Sequence, residues 1–281
     1  MSHHGPYPDP PASGNRSRSP RTLAILAIAW SIALAAAAAS RFRGEWEAYK
    51  AIHRWCANQG VPDWVRNLDS ILFGAAAFLG AALIARWSGG SPLARLLLHR
   101  GQGHWGRMVL IAPLPMVVGG AVLAGLRWTP DTSPATLLPT ILSGAIRAPI
   151  AEELLFRGLL IGTCSAALGW RGPRFWINAT AAALLFAVMH VPWTSNGLAD
   201  GWATMLLTGA GGVWFAWHLM RWQSLWVPIL LHAGMNLGWL LAGAAGGAGG
   251  GGWVENLLRA VTITIATWWT VRRTIASPTA A

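Results

Sequence analysis

The chain has 281 residues, 54% hydrophobic and 11% charged, with a formal net charge of +11 and a mean hydropathy of +0.42. A soluble domain carries about 25% charged residues, so this composition excludes a disordered tail protein and argues against a soluble enzyme. The basic residues fall between apolar runs and not along one stripe, which sets nucleic acid aside as a partner and points to a polytopic membrane protein.

Residues 1–21 are rich in Pro, Ser, Gly and Arg and read as a disordered cytoplasmic tail. The first apolar run, Thr22–Ser40, is long enough for a full span and has arginines on both sides, so it reads as an uncleaved helix and not a signal peptide. Further runs follow at Leu68–Arg86, Met108–Leu126, Ala135–Leu168, Phe175–His190, Gly201–Met220, Leu225–Ala242 and Val254–Val271. Together they predict an all-α membrane protein with about eight transmembrane helices. The fourth run exceeds one span. Pro139 and Pro149 predict an interfacial segment followed by a kinked helix that restarts near Pro149, which puts Glu152 close to the outer end of its helix. Gly246–Gly252 reads as a flexible loop. Tryptophans such as Trp87, Trp128 and Trp268 stand at run ends, the depth that amphipathic rings prefer. Cys56 and Cys164 read as ordinary thiols.

The organisation expected from this pattern is a tail over 1–21, three helices over 22–134, a core of helices four to seven over 135–243, and a Gly-rich loop with the last helix over 244–281. With the N-terminus inside, the inner segments carry Arg16, Arg18, Arg21, Arg86, Arg95, Arg100, Arg107, Arg171, Arg174, Arg221, Arg272 and Arg273. The outer segments carry half as many: Arg41, Arg43, Lys50, Arg54, Arg66 and Arg127. The excess predicts N-in and C-in topology. The expected location is the bacterial plasma (inner) membrane, with lipids as neighbours.

Ionisable residues inside apolar runs cost free energy unless paired or hydrated, so each is a functional candidate. They gather in the second half of the chain: Arg147, Glu152, Glu153, Arg157, His190, His218 and His232, with Asn236 beside them and Glu255 and Arg259 near the start of the last run. Residues i and i+4 share one face of an α-helix, so Glu153 and Arg157 are predicted to form an ion pair. Glu152 is turned about 100° away and is left to act as a base. Phe186 and His190 share a face of the fifth run, as His232 and Asn236 do in the seventh. Converging, these groups have the parts of a hydrolase: Glu152 with His190 to activate a water, His232 with Asn236 to donate to an oxyanion. His218 reads as structural and Arg147 as a snorkelling cation.

The segments EELLFR (152–157), FAVMH (186–190) and HAGMN (232–236) resemble, in order, the EExxxR, FxxxH and HxxxN pattern of the CPBP family of intramembrane proteases, also called the Abi or CAAX-protease family. The resemblance covers about residues 135–243. It implies an eight-helix membrane fold around a polar cavity. It also implies peptide-bond hydrolysis in which Glu152 and His190 activate water and His232 and Asn236 stabilise the oxyanion. Glu153, Arg157 and Phe186 would support the site. The substrate expected is a protein or peptide that is membrane-associated or lipid-modified. One Glu and two His are enough ligands for Zn²⁺. Asn236 suits an oxyanion donor better than a zinc ligand, so a glutamic-type mechanism with no metal or other cofactor is preferred. HExxH, GxSxG and GxGD motifs are absent from the sequence, so zincin, α/β-hydrolase and presenilin-type chemistries find no support. Two other functions would use a buried Glu and His: a non-enzymatic membrane immunity or scaffold protein, and a proton-coupled transporter. The second is disfavoured because no internal repeat is present.

Overall fold

A computed structural model describes residues 20–42, 47–61, 68–126, 134–244 and 252–275, in which every regular element is helical. The expected tail and Gly-rich loop lie outside the described residues, apart from Pro20, Arg21 and Gly252. In chain order the helices are α1 (Pro20–Phe42), α2 (Glu47–Asn58), α3 (Leu68–Ser88), α4 (Pro92–Arg95), α5 (Gly106–Ile111) and α6 (Leu114–Leu126). A long rod follows, made of α7 (Pro134–Ile141), π1 (Leu142–Arg147), α8 (Ala148–Glu153), π2 (Leu154–Thr163) and α9 (Cys164–Leu168). Last come α10 (Pro173–Val188), α11 (Ser195–Asp200), α12 (Trp202–Trp222), α13 (Trp226–Ala244) and α14 (Trp253–Ile275). Among the described residues, four stretches are long and apolar enough to cross a bilayer: Pro20–Phe42, Asp69–Ser88, Gly106–Leu126 and Trp226–Gly243. The chain is an integral membrane protein.

The rod overturns the expected break. It is helical without interruption from Pro134 to Leu168, and Glu152 lies near its middle, not at the outer end of a restarted helix. The irregularity takes the form of two π segments. Proline ordinarily breaks a helix because it lacks an N–H. Here the Ala148 N–H already bonds to Ser143 O, the i→i−5 pattern of π1. The next donor in that register is residue 149, a proline, so Gly144 O loses its backbone partner. Asn236 Nδ2 on α13 donates to that carbonyl at 3.0 Å. A side chain thus supplies the bond that Pro149 cannot make.

The described residues divide into two compact units. The first takes in residues up to Arg41, Ala75–Gly103 and Leu154–Leu225; the second takes in Phe42–Gly74, His104–Glu153 and the chain from Trp226 onward. In the first unit, α10 packs on α12 and on π2. Gly212 permits the close approach of α12 to α10, because a Cβ there would stand 2.8 Å from the Ala183 Cβ. Asn178 on α10 donates from Nδ2 to Leu160 O of π2 at 2.7 Å and accepts at Oδ1 from Trp30 Nε1 of α1 at 3.0 Å. One amide thereby joins three elements and satisfies a carbonyl of the widened helix. The loop after α4 is latched to the end of α12. Gln102 N–H donates to Trp222 O at 2.8 Å, and Ser224 Oγ to His99 O at 2.7 Å. Gly101 in this loop has φ +65, and a Cβ there would meet the Ser224 Cβ at 2.6 Å.

In the second unit, α13 packs along α6, and both touch α14. Gly120 and Gly238 meet backbone to backbone. A Cβ on Gly120 would strike Gly238 O, and a Cβ on Gly238 would strike Met116 O. Small residues at such a crossing replace the hydrophobic driving force that lipid does not supply. This contact fixes α13, the helix that carries His232 and Asn236, against the rest of its unit.

Candidate active site

In the second unit α8 and α13 bring together four of the predicted residues. His232 stands between two carboxylates: its Nδ1 is 2.9 Å from Glu153 Oε1, and its Nε2 is 3.9 Å from Glu152 Oε2. Glu153 is fully buried, His232 keeps 12% of its side-chain surface and Glu152 keeps 23%. Glu152 is therefore the more exposed of the two carboxylates. The short contact at Nδ1 is a hydrogen bond between the imidazole and the buried carboxylate. The 3.9 Å gap to Glu152 is too long for a direct hydrogen bond. Asn236 lies one turn further along α13. One hydrogen of its amide is held by Gly144 O, and the amide has a second to offer. Arg147 Nη2 donates to Ser143 Oγ at 2.8 Å, inside the rod itself.

In the first unit, His190 differs from expectation. The helix ends at Val188, and His190 lies exposed in the turn that follows, not within a span. It is still held by Phe186, as the spacing predicts. Its Nδ1 is 2.7 Å from Phe186 O, and the two rings lie 4.4 Å apart. A carbonyl only accepts, so Nδ1 carries the hydrogen and Nε2 of the neutral ring has the free lone pair. Phe186 also carries the buried Arg157, whose guanidinium lies 4.4 Å from the Phe186 ring and 5.4 Å from that of Phe215. His218 is fully buried between the Trp214 and Trp217 rings, at 4.4 and 4.8 Å, in keeping with a structural role.

Residues 134–238 match a family model described as type II CAAX prenyl endopeptidase, Rce1-like. That segment is similar to the Rce1-like family. This is the CPBP/CAAX-protease family that the three motifs resemble, and its CAAX-type members are intramembrane endopeptidases. The Rce1-like segment contains Glu152, Glu153, Arg157, Phe186, His190, His232 and Asn236. No curated protein and no solved structure matches the chain significantly. Among the described residues, no three His, Cys, Asp or Glu side chains gather as a metal-binding group.

Sequence reasoning missed two supports of the Rce1-like segment. Asn178 was visible as an amide inside an apolar run, a polarity that lipid makes expensive. The bond between Asn236 and Gly144 had no signal beyond Pro149, whose missing donor implies an acceptor in need of one.

Proposed function

We propose that the chain is an intramembrane endopeptidase that hydrolyses a peptide bond in a membrane-associated or lipid-modified protein or peptide. Glu152 and His190 act on one water: the carboxylate takes a proton as the oxygen adds to the scissile carbonyl, and His190 Nε2 orients it. His232 and the second amide hydrogen of Asn236 stabilise the tetrahedral oxyanion. The carbon–nitrogen bond then breaks, and the departing amine takes up the proton. The chemistry runs without a metal ion or cofactor, inside a polar cavity enclosed by about eight spans. The protein sits N-in and C-in in a bacterial inner membrane, surrounded by lipid. The catalytic core is residues 135–243, the tail, first three helices and last helix being accessory.

The observation that carries this reading is the partly exposed Glu152 beside His232, on a rod whose neighbouring carboxylate is fully sealed. Joint action with His190 rests on the order of the motifs in the sequence. The test is cleavage of prenylated and unprenylated peptides by the full chain in lipid nanodiscs. Wild type is expected to cleave, Glu152→Gln to lose about 10²–10⁴-fold in rate, and a chelator to change nothing. A wild-type protein that cleaves no peptide, or a Glu152→Gln variant at full rate, overturns the reading. Retained biological activity in that variant would favour the immunity or scaffold role.

A further inference from the structure

The first unit carries a groove that the hydrolase chemistry does not use. It measures about 390 Å³ and is lined by Leu184, Leu185 and Val188 near the end of α10, by Trp193 in the loop that follows, and by Leu198 of α11. Leu184 and Leu198 are exposed, so the groove opens to the surface, which in a membrane protein meets lipid. A cation stands beside it. Arg41, in the last turn of α1, is half-buried and sets its guanidinium over the Trp193 ring at 5.8 Å. A ring face stabilises the charge but offers no lone pair, so the planar fork of N–H donors keeps its capacity for an anion. Among the described residues no carboxylate pairs with Arg41. Both helices end here, at Phe42 and Val188, which puts the cation at headgroup depth and the leucines of α10 up to about 6 Å further in.

We propose that this groove binds a phospholipid with a net-anionic headgroup, its phosphate on Arg41 and part of one acyl chain along Leu184, Leu185 and Val188. Charge decides the class. A guanidinium takes phosphate through paired N–H bonds, and a headgroup with no amine brings no second cation against Arg41. Seating the lipid also braces the turn that holds His190. Val188 and Trp193 flank that turn in the chain, and the Trp193 indole N–H already donates to Val188 O at 2.9 Å. Arg21, at the other end of α1, is the contrast. Its guanidinium lies over the Trp87 ring at 5.7 Å, and neither residue lines the groove.

The test is native mass spectrometry of the full chain carried out of nanodiscs made with phosphatidylglycerol or with phosphatidylcholine of the same acyl chains. Phosphatidylglycerol is expected to be retained about fivefold more strongly, the worth of one cation near a lipid surface. Arg41→Gln should erase that preference, Arg41→Lys should keep most of it, and Arg21→Gln should leave it whole. Equal retention of the two lipids overturns the site. So does an equal loss in Arg41→Gln and Arg21→Gln, which would assign the preference to general surface charge. Soluble glycerol phosphate should not displace the lipid; displacement would mean that the headgroup binds without the groove and refutes the site. A prenylated peptide that displaces phosphatidylglycerol would give the groove to a substrate chain and equally overturns the proposal. Amide exchange at His190 and Val191, whose N–H groups donate to Ala187 O and Val188 O, should be slower in phosphatidylglycerol than in phosphatidylcholine for the wild type but not for Arg41→Gln. Exchange that ignores the lipid refutes the bracing. No readout here needs cleavage, so the site stands or falls apart from the hydrolase reading.

Discussion

Replacing Asn236 by Ala removes the Nδ2 donor that Gly144 O holds at 3.0 Å. The carbonyl is only partly covered, and Pro149 gives it no backbone alternative. A hydrogen bond lost in this way costs about 1–3 kcal/mol where the acceptor is left unsatisfied, and side-chain bonds within membranes fall toward the low end, near 0.6–1.7 kcal/mol. We therefore expect Asn236→Ala to destabilise the protein by about 1–2 kcal/mol. The specific content lies in the double variant. Pro149→Ala restores an N–H in register for Gly144 O, so in that background the loss of Asn236 should cost a few tenths of a kcal/mol, a coupling of about 1 kcal/mol. Reversible unfolding of all four proteins in mixed micelles measures it. If Asn236→Ala costs the same in the Pro149→Ala background as in the otherwise native chain, the account of the unbroken rod is wrong.

Other substitutions read different parts of the fold. Gly238→Ala would push a methyl into the backbone of Met116, so it should destabilise by about 1–3 kcal/mol, whereas Gly211→Ala, with nothing within 4 Å, should be neutral or stabilise by up to about 1 kcal/mol in the same unfolding assay. Asn178→Ala removes both bonds that join α1, α10 and π2, and should cost more than Trp30→Phe, which removes one. His99 provides a pH dependence. Burial lowers its pKa from the ordinary 6.5, and the Gly101 N–H occupies its Nδ1 at 3.0 Å, so the folded loop favours the neutral ring. The stability this gives is complete above pH 6.5 and is lost as pH falls from there through the lower folded value. Amide exchange at Gly101 should therefore speed up, relative to its intrinsic rate, as pH is lowered through that window, and a His99→Gln variant should show no such change.

Much of the architecture was legible because lipid makes composition simple. Apolar runs marked the helices, and the polar exceptions marked the residues worth following. The pairing of Glu153 with His232 was not legible, because contacts between helices distant in sequence leave no local periodicity. The place of His190 was misjudged because the apolar run continues past the point where the backbone turns at Met189. The π segments escaped notice because their apolar composition is that of any buried helix, and only hydrogen-bond register distinguishes the two.

That register has a consequence for how this sequence tolerates change in length. A π turn holds one more residue than the α turn it replaces, like slack taken up in a coil. Removing a single residue from Leu154–Thr163 lets the stretch tighten into ordinary helix while the chain on either side keeps its heading. The same deletion within Ala148–Glu153 has no surplus to absorb it, and swings one of the two acidic side chains through about 100°. A deletion scan along the rod should therefore find forgiving and intolerant stretches that alternate with the winding of the backbone, not with its greasiness.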